Sequence, residues 1–213
     1  MSSQSLARTV QVAPKHYEFQ GYDDLERWIS YWYQIRAAMR LQPTSVLEIG
    51  SGTGVFRAYL QGRGIDVKSL DIDATRQPDY VADVSNLDEA LPPGATFDII
   101  AAFQVLEHLP FSKLEGCLEG ISRRARHALI SLPYRGQRIR LSFWFGDTQL
   151  SLGHKFMLPW RSRRCPEHHW ELGKGLSARR ITRIMSQYFD VIERGFVKEN
   201  PYHYMWVLRS RAA

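Results

Sequence analysis

The sequence has little cysteine and no long apolar run, and each absence narrows the class of protein. Only two cysteines, Cys117 and Cys165, occur in 213 residues, too few for the disulfide framework of a small secreted protein. No stretch approaches the roughly 18 consecutive apolar residues that a membrane-spanning helix needs. The first residues, Met1 to Arg8, lack the apolar core of a secretory signal. We therefore expect a reduced, cytoplasmic protein without a transmembrane segment.

The composition is that of a folded globular chain, with 44% hydrophobic and 23% charged residues. Its length suits one α/β domain, which we expect to span residues 1–213. The net charge of +6 is unevenly distributed, because residues 1–122 hold 10 of the 28 Lys and Arg but 16 of the 22 Asp and Glu. The basic remainder is either an ordinary solvated surface or one that attracts an anionic partner, such as a phosphorylated substrate, nucleic acid or anionic lipid.

Short apolar runs alternate with helical patterns along most of the chain. The apolar runs predict five strands, at 45–49, 65–71, 80–82, 97–103 and 128–131, and two closing strands at 189–196 and 203–209. Helical spacing predicts helices at 55–61, 113–124 and 177–188. Strands that alternate with helices predict an α/β fold with a doubly wound, mostly parallel sheet.

Residues 1–40 are predicted to form an N-terminal extension and a cap helix. The apolar residues that share one helical face are Leu25, Trp28, Trp32, Ile35 and Met39. Asp23 followed by Glu26 is typical of a capping box at the start of this helix. The aromatic stripe either packs into the core or forms part of a lid over a ligand.

Residues 134–176 interrupt the rhythm of strands and helices. This segment shows no clear periodicity and is rich in Arg, Trp, Phe and Pro. Long segments without regular structure are uncommon in compact domains and often form lids or binding loops. We therefore expect a long insert after the fifth strand.

A glycine-rich turn follows the first strand. Gly50, Gly52 and Gly54 allow a tight turn and the close approach of a ligand to the backbone. A dinucleotide site would have its third glycine at position 55, where this chain has Val. Asp71 and Asp83 end the second and third strands, where an acid can bind ribose hydroxyls or an adenine amino group. Three such features at one sheet edge predict a nucleotide-type ligand, although each alone is common in turns.

These segments resemble the class I S-adenosylmethionine-dependent methyltransferases, most closely the small-molecule branch with a Leu-Glu-His turn after the fourth strand. The matching stretches are Val46–Gly54, Asp71, Ala82–Val84 and Phe97–Pro110. The resemblance implies a seven-stranded sheet whose last strand is antiparallel, and S-adenosylmethionine as cofactor. It also implies roles for particular residues: Glu48, Gly50, Ser51, Gly52 and Gly54 around the methionine moiety, Asp71 and Ile72 at the ribose, Asp83 and Val84 at the adenine, and Phe103 and Gln104 beside the cofactor.

The methyl acceptor is less well defined by the sequence. An oxygen acceptor must lose a proton, and histidine is the side chain best suited to take it near neutral pH. His108, in the Leu-Glu-His turn, and His168 and His169, in the insert, are therefore candidate catalytic residues, although His108 also suits a structural role and the other two suit a polar surface loop. A metal site is not expected, because His154, Cys165, His168 and His169 do not have zinc-site spacing.

The basic, aromatic segment from Arg135 to Phe145, followed by Arg161, Arg163 and Arg164, suits phosphate binding, base stacking or a membrane interface. We expect methyl transfer to an oxygen of a small metabolite or of a glycan or lipid precursor, which would be anionic if the basic segment binds it. Peripheral membrane contact is compatible with this expectation. The alternatives are an RNA methyltransferase, which is disfavoured because no nucleic-acid-binding module is recognisable, and a catalytically silent subunit that binds an anionic partner.

Overall fold

The computed structural model describes residues 22–146, 148–156, 165–173 and 175–212. Its helices are α1 (Leu25–Arg40), α2 (Val55–Gln61), α3 (Leu87–Ala90), α4 (Leu114–Arg124) and α5 (Ala178–Met185). Its strands are β1 (Ser45–Ile49), β2 (Asp66–Asp71), β3 (Tyr80–Val81), β4 (Phe97–Phe103), β5 (Ala125–Pro133), β6 (Gln137–Phe145), β7 (Thr148–Phe156), β8 (Phe189–Phe196) and β9 (His203–Ser210). Within the described ranges, no helix combines the length and apolar character needed to cross a bilayer.

Seven strands form the main sheet, in the order β3-β2-β1-β4-β5-β9-β8. Strands β1 to β5 are parallel to one another, whereas β9 is antiparallel to both β5 and β8. The register pairs Ile49, at the end of β1, with Leu70 of β2 on one side and Ala102 of β4 on the other. The carboxyl ends of these strands therefore meet at one edge, and the predicted doubly wound sheet with an antiparallel last strand is confirmed.

Two apolar cores cover the two faces of this sheet. One contains Ala38 of α1 and Phe56 and Leu60 of α2, together with Val46 of β1. The other contains residues of α4 and α5 and the next residue of β1, Leu47. Successive side chains of a strand point to opposite faces, so a strand segment buried on both sides must be apolar, as β4 is from Ile99 to Phe103.

Helix α1 forms where the sequence predicts it, but the face that it buries is different. Its buried residues are Ser30, Tyr31, Gln34, Ala37 and Ala38, whereas Leu25, Trp28, Trp32 and Met39 are between 37% and 76% exposed. Small residues allow a helix to approach its neighbours closely, which bulky ones do not. The N-cap is Asp24, whose side chain accepts a hydrogen bond from the amide of Arg27, so the capping box predicted at Asp23 is wrong.

The turn between β8 and β9 holds α1 against the rest of the molecule. The side-chain amide of Asn200 donates to the carbonyl of Glu26 at 3.1 Å and to the hydroxyl of Ser30 at 3.0 Å. At the next position of the helix, the hydroxyls of Tyr31 and Thr53 lie 3.0 Å apart. Helix α1 therefore connects the end of the sheet to the glycine-rich turn.

The segment 134–176 has regular structure where none was expected. Strands β6 and β7 pair as an antiparallel hairpin that forms a separate two-stranded sheet, with Phe145 opposite Thr148 and Gly146 at a positive φ of 59° in the turn. The prediction of an aperiodic insert was wrong here, because polar and apolar residues alternate from Arg138 to Phe143 in the pattern of a strand. Arg161, Arg163 and Arg164 lie outside the described residues, as does the side chain of His154.

Candidate active site

The turn after β1 places three glycines in the left-handed region. The φ angles of Gly50, Gly52 and Gly54 are 72°, 52° and 77°, a conformation that L side chains rarely adopt. At Gly50 the backbone also approaches Val105, since a Cβ at this position would lie 2.5 Å from Cγ2 of that side chain. The amide of Gly50 donates to the carbonyl of Leu70 at 2.8 Å, which keeps the start of the turn against the end of β2.

The acids that follow β2 and β3 organise this edge of the sheet. The carboxylate of Asp71, 8% exposed, accepts one hydrogen bond from the amide of Ser51 at 3.1 Å and another from the amide of Asp73 at 2.9 Å. The carboxylate of Asp83 accepts from the amide of Ser85 at 2.8 Å. Asp71 thus connects the glycine turn to β2 while it also lines the cleft described next.

A single cleft at the carboxyl edge of the sheet gathers most of the predicted cofactor residues. It encloses about 790 Å³, a volume that includes the space at its mouth open to solvent. Eight predicted residues line it: Gly50, Gly52, Asp71, Ile72, Asp83, Val84, Phe103 and Gln104. Ser51 and Gly54 belong to the same turn but do not line the cleft, and neither does Glu48.

Glu48 lies beneath the turn, in β1, and is 4% exposed. Burial raises the pKa of Glu48 to about 8, against the opposing effect of Arg57. Its Oε2 has no hydrogen-bond partner in the described part of the chain. The carboxyl is therefore largely protonated at neutral pH in the ligand-free protein, and a cation near it would favour its ionised form.

Several residues of the cleft were not among the predicted site residues, including Tyr22, Asp73, Arg76, Val105 and Leu109. Arg76 donates to the carbonyl of Gly52 at 2.5 Å and lies 3.5 Å from the carboxylate of Asp73. Asp73 could have been predicted, because it is a second acid two positions after Asp71 at the end of the same strand. It forms the N-cap of a 3-10 turn at Ala74–Arg76. No sequence pattern near Arg76 predicts its place in the cleft, because its contact with the carbonyl of Gly52 depends on the shape of the glycine turn.

Gln104, which follows β4, has an unusual backbone conformation. Its φ of 58° is uncommon for a residue other than glycine. Its amide donates to the carbonyl of Ser131 at 3.0 Å, and its side-chain amide donates to the hydroxyl of the same residue at 3.1 Å. Such conformations persist where the surroundings hold them, frequently at functional sites, and this one lies in the wall of the cleft.

The 3-10 turn Leu106–His108, which we term the LEH turn, carries His108 into the cleft wall. Residues 165–171, which we term the docking loop, are held against it. The indole of Trp170 donates to the carbonyl of Leu109 at 2.9 Å, and the amide of His169 donates to the carbonyl of Glu107 at 2.8 Å. The insert therefore reaches the site through this loop.

The three candidate catalytic histidines occupy different environments. The ring of His108 packs edge-on against that of His168, with centroids 4.8 Å apart, and His168 is 8% exposed. The ring of His169 is exposed and does not line the cleft. The structure thus brings His108 and His168 together beside the cleft and leaves His169 at the surface.

Acidic side chains surround this histidine pair. Glu107 is fully buried, and burial raises its pKa to about 8. Burial also favours a raised pKa at Glu171, but the hydrogen bonds from His168 and from the amide of Cys165 outweigh it and lower the pKa of that carboxyl. The carboxylate of Glu171 lies 2.8 Å from Nδ1 of His168. The LEH turn and the docking loop together form an acidic, histidine-containing wall.

Comparison with known proteins identifies relatives of this arrangement. A family model described as a methyltransferase domain matches residues 20–188. The fold is similar to that of the N-methyltransferase NodS from Bradyrhizobium japonicum, with a TM-score of 0.56, 12% sequence identity and 89% of each chain covered. It is also similar to that of an S-adenosylmethionine-dependent methyltransferase from Clostridium acetobutylicum, with a TM-score of 0.57 and 9% identity; the match covers 92% of this chain and 95% of that one. The glycopeptide N-methyltransferase MtfA, solved with S-adenosyl-L-homocysteine, matches with a TM-score of 0.54 and 15% identity, over 83% of this chain and 88% of that one. A search of the curated proteins found no match.

Proposed function

This chain belongs to the methyltransferase domain family, and we propose that it transfers a methyl group to an oxygen of a small metabolite or of a glycan or lipid precursor. It is an S-adenosylmethionine-dependent methyltransferase with the Rossmann-like fold of that class. The observation that carries the proposal is the cleft itself, in which the glycine turn and the strand-end acids Asp71 and Asp83 face one space.

The side chains of the cleft fit the cofactor. Asp71 and Asp83 offer carboxylate oxygens to ribose hydroxyls and to the adenine amino group, while Ile72, Val84 and Phe103 offer apolar surface to the adenine ring. The glycine turn would lie beside the methionine moiety, with Glu48 beneath it. When bound, S-adenosylmethionine supplies a methyl group on a positively charged sulfur, which keeps the C–S bonding electrons as the methyl moves to the acceptor.

His108 is the side chain that we assign to the acceptor proton. Nδ1 of His108 donates to the carbonyl of Glu167 at 3.1 Å, since a carbonyl can only accept. The neutral ring then carries its lone pair on Nε2, where it can take the proton that an acceptor hydroxyl loses. His168 supports the ring of His108 by edge-on packing. His169 has no part in this proposal, because its ring is exposed.

The basic surface of the second half of the chain supports an anionic acceptor. Residues 123–213 contain 18 Lys and Arg but only 6 Asp and Glu. The hairpin β6–β7 adds the exposed side chains of Phe143 and Phe145. A phosphorylated metabolite or an anionic lipid-linked precursor would combine both properties, being attracted by the cations and held by apolar contact.

The experiment that tests the cofactor site is calorimetric titration of Asp71→Asn with S-adenosyl-L-homocysteine. Loss of a charged acceptor for two hydroxyls should weaken binding by about 2–4 kcal/mol, or roughly 30- to 1000-fold. Asp98→Asn is the matched control, because Asp98 lies at the start of β4, on the opposite edge of the sheet, where it accepts from Thr44. Equal affinities for the two variants would refute the assignment of Asp71.

Acceptors are then distinguished by transfer of a labelled methyl group to panels of phosphorylated metabolites, lipid-linked glycans and tRNA. Label in a hydroxyl-bearing small molecule or lipid-linked precursor supports the proposal, whereas label in tRNA or on an amine contradicts it. Cofactor binding without transfer to any acceptor class would favour a catalytically silent subunit.

A further inference from the structure

Three side chains with metal-binding groups meet where the docking loop contacts the LEH turn. Glu107, His108 and His168 each offer one ligand atom, and these atoms lie within 4.8 Å of one another. His108 also lines the cofactor cleft, so the cluster borders the space where methyl transfer takes place.

The carboxylate of Glu107 lacks a polar partner. Its side chain is 0% exposed, and neither of its oxygens accepts a hydrogen bond within the described residues. Nε2 of His168 lies 4.0 Å from Oε1 of Glu107, which is too long for a hydrogen bond. Buried polar groups are nearly always paired, because an unpaired one costs free energy. A buried carboxylate that faces two imidazoles therefore calls for a partner between them.

The two imidazoles are oriented as metal ligands usually are. A histidine that binds a metal commonly donates its other ring N–H to a carboxylate or a backbone carbonyl, which fixes its orientation and tautomer. Nδ1 of His168 lies 2.8 Å from the carboxylate of Glu171, and Nδ1 of His108 lies 3.1 Å from the carbonyl of Glu167. In both neutral rings the lone pair is then on Nε2.

We propose that Glu107, His108 and His168 bind a divalent first-row transition metal ion, such as Zn²⁺, beside the cofactor cleft. Two imidazole nitrogens and one carboxylate oxygen are a ligand set that such ions accept. A tetrahedral ion with bonds near 2.0–2.2 Å holds its ligands about 3.4 Å apart. The Glu107–His168 pair at 4.0 Å must therefore close by roughly 0.6 Å on binding, and a pair at the outer limit of 4.8 Å by about 1.4 Å. Of these three ligands, only His168 belongs to the group of possible metal ligands considered in the sequence analysis.

Three protein ligands leave a coordination position for another oxygen. If the proposed methyl transfer is correct, this position suits the hydroxyl of the acceptor, whose proton would leave more readily on a cation. The ion would then replace Nε2 of His108 as the group that activates the acceptor, and the acceptor proton would pass to solvent. Ion binding itself does not depend on the proposed function.

The test is titration of the full chain with Co²⁺, followed by its visible absorption, and with Zn²⁺ by calorimetry. We expect one ion per chain, and at least 100-fold weaker binding in Glu107→Gln and in His168→Ala. Glu107→Gln keeps the size of the side chain and leaves a group there that cannot ionise, so its fold should persist, which circular dichroism would verify. His169→Ala is the matched control: its ring is exposed next to His168, and its metal affinity should equal that of the wild type.

Glu171→Gln adds a graded result, because loss of a carboxylate partner behind a metal-bound histidine typically lowers affinity about 10- to 100-fold. The proposal is overturned if the wild type binds no Co²⁺, or if Glu107→Gln and His168→Ala bind it as well as His169→Ala does. Binding of S-adenosyl-L-homocysteine is measured on the same samples. Retained binding of this compound without a Co²⁺ spectrum refutes the metal site alone, whereas the opposite result refutes the cofactor site alone.

Discussion

The buried carboxyl of Glu48 should make the stability of the cofactor-free protein fall as pH rises, and Glu48→Gln should remove this effect. The side chain lies in β1 beneath the glycine turn, and its Oε2 accepts no hydrogen bond from the described residues. Burial raises its pKa from the usual 4.5 to about 8. Gln resembles the protonated carboxyl in size and charge but cannot ionise, so the substitution isolates the free energy of ionisation.

The sign follows from the direction of the pKa shift. Since the folded state holds the proton more tightly than the unfolded state, the stability from Glu48 is complete below pH 4.5 and is lost as pH rises through about 8. At about 1.4 kcal/mol per pH unit, a carboxyl with these two pKa values loses about 4 kcal/mol between pH 5 and pH 8.5. This is a large part of the usual stability of a domain, about 5–15 kcal/mol.

The assay is urea unfolding of the wild type and Glu48→Gln at pH 5 and pH 8.5, without cofactor. We expect similar free energies of unfolding at pH 5 and a variant that is more stable by up to about 4 kcal/mol at pH 8.5. Glu193→Gln is the control, because its side chain is 56% exposed in an ion pair with Arg40 and should change stability by less than about 1 kcal/mol. A difference between wild type and Glu48→Gln that is the same at both pH values would refute the reasoning.

Two further predictions concern the glycine turn and the docking loop. Gly50→Ala should destabilise the protein by about 1–3 kcal/mol more than Gly54→Ala, since both have positive φ but only the first meets a neighbouring side chain; equal losses in thermal unfolding would contradict the close contact. Trp170→Phe should cost about 1–2 kcal/mol, because a buried carbonyl loses its donor. Hydrogen exchange of the His169 amide should then accelerate, and an unchanged exchange rate would show that the indole N–H does not hold the loop.

The elements of the main sheet could be predicted because each is encoded locally. The buried run of β4 and the glycines that end α2 are visible without knowledge of the fold. The strand-end acids Asp71 and Asp83 were identifiable for the same reason, since the carboxyl ends of parallel strands share one edge.

The buried face of α1 could not be predicted from hydrophobicity. Trp28 and Trp32 have the larger apolar surfaces, yet Ala37 and Ala38 face the core. Which face of a helix packs depends on how close its axis can approach the sheet, and this distance is set by the neighbours. The hairpin β6–β7 was not predicted for a different reason: its alternating pattern contains Arg138 and Arg140, whereas the strands of the main sheet are mostly apolar runs.

The cluster of Glu107, His108 and His168 also lay beyond sequence reasoning. Sixty positions separate the two histidines, and neither has a neighbouring residue with metal-site spacing. They meet because Trp170 fastens the docking loop to Leu109, a contact between segments that carry no mutual signal. Pairings of this kind are a property of the tertiary structure alone.

The place of β9 between β5 and β8 has a consequence for the order in which the molecule assembles. During synthesis β5 emerges well before its partner, so its open edge stays exposed until about 70 more residues have been made. Helix α1 also cannot complete its contacts until late, because Asn200, which donates a hydrogen bond to Ser30, lies 170 positions further along the chain. Contacts of such separation slow folding, as long loops must close before they form. Helix α1, although it is made early, is thus among the last elements to dock, and a growing chain that ends before β9 is an aggregation-prone intermediate.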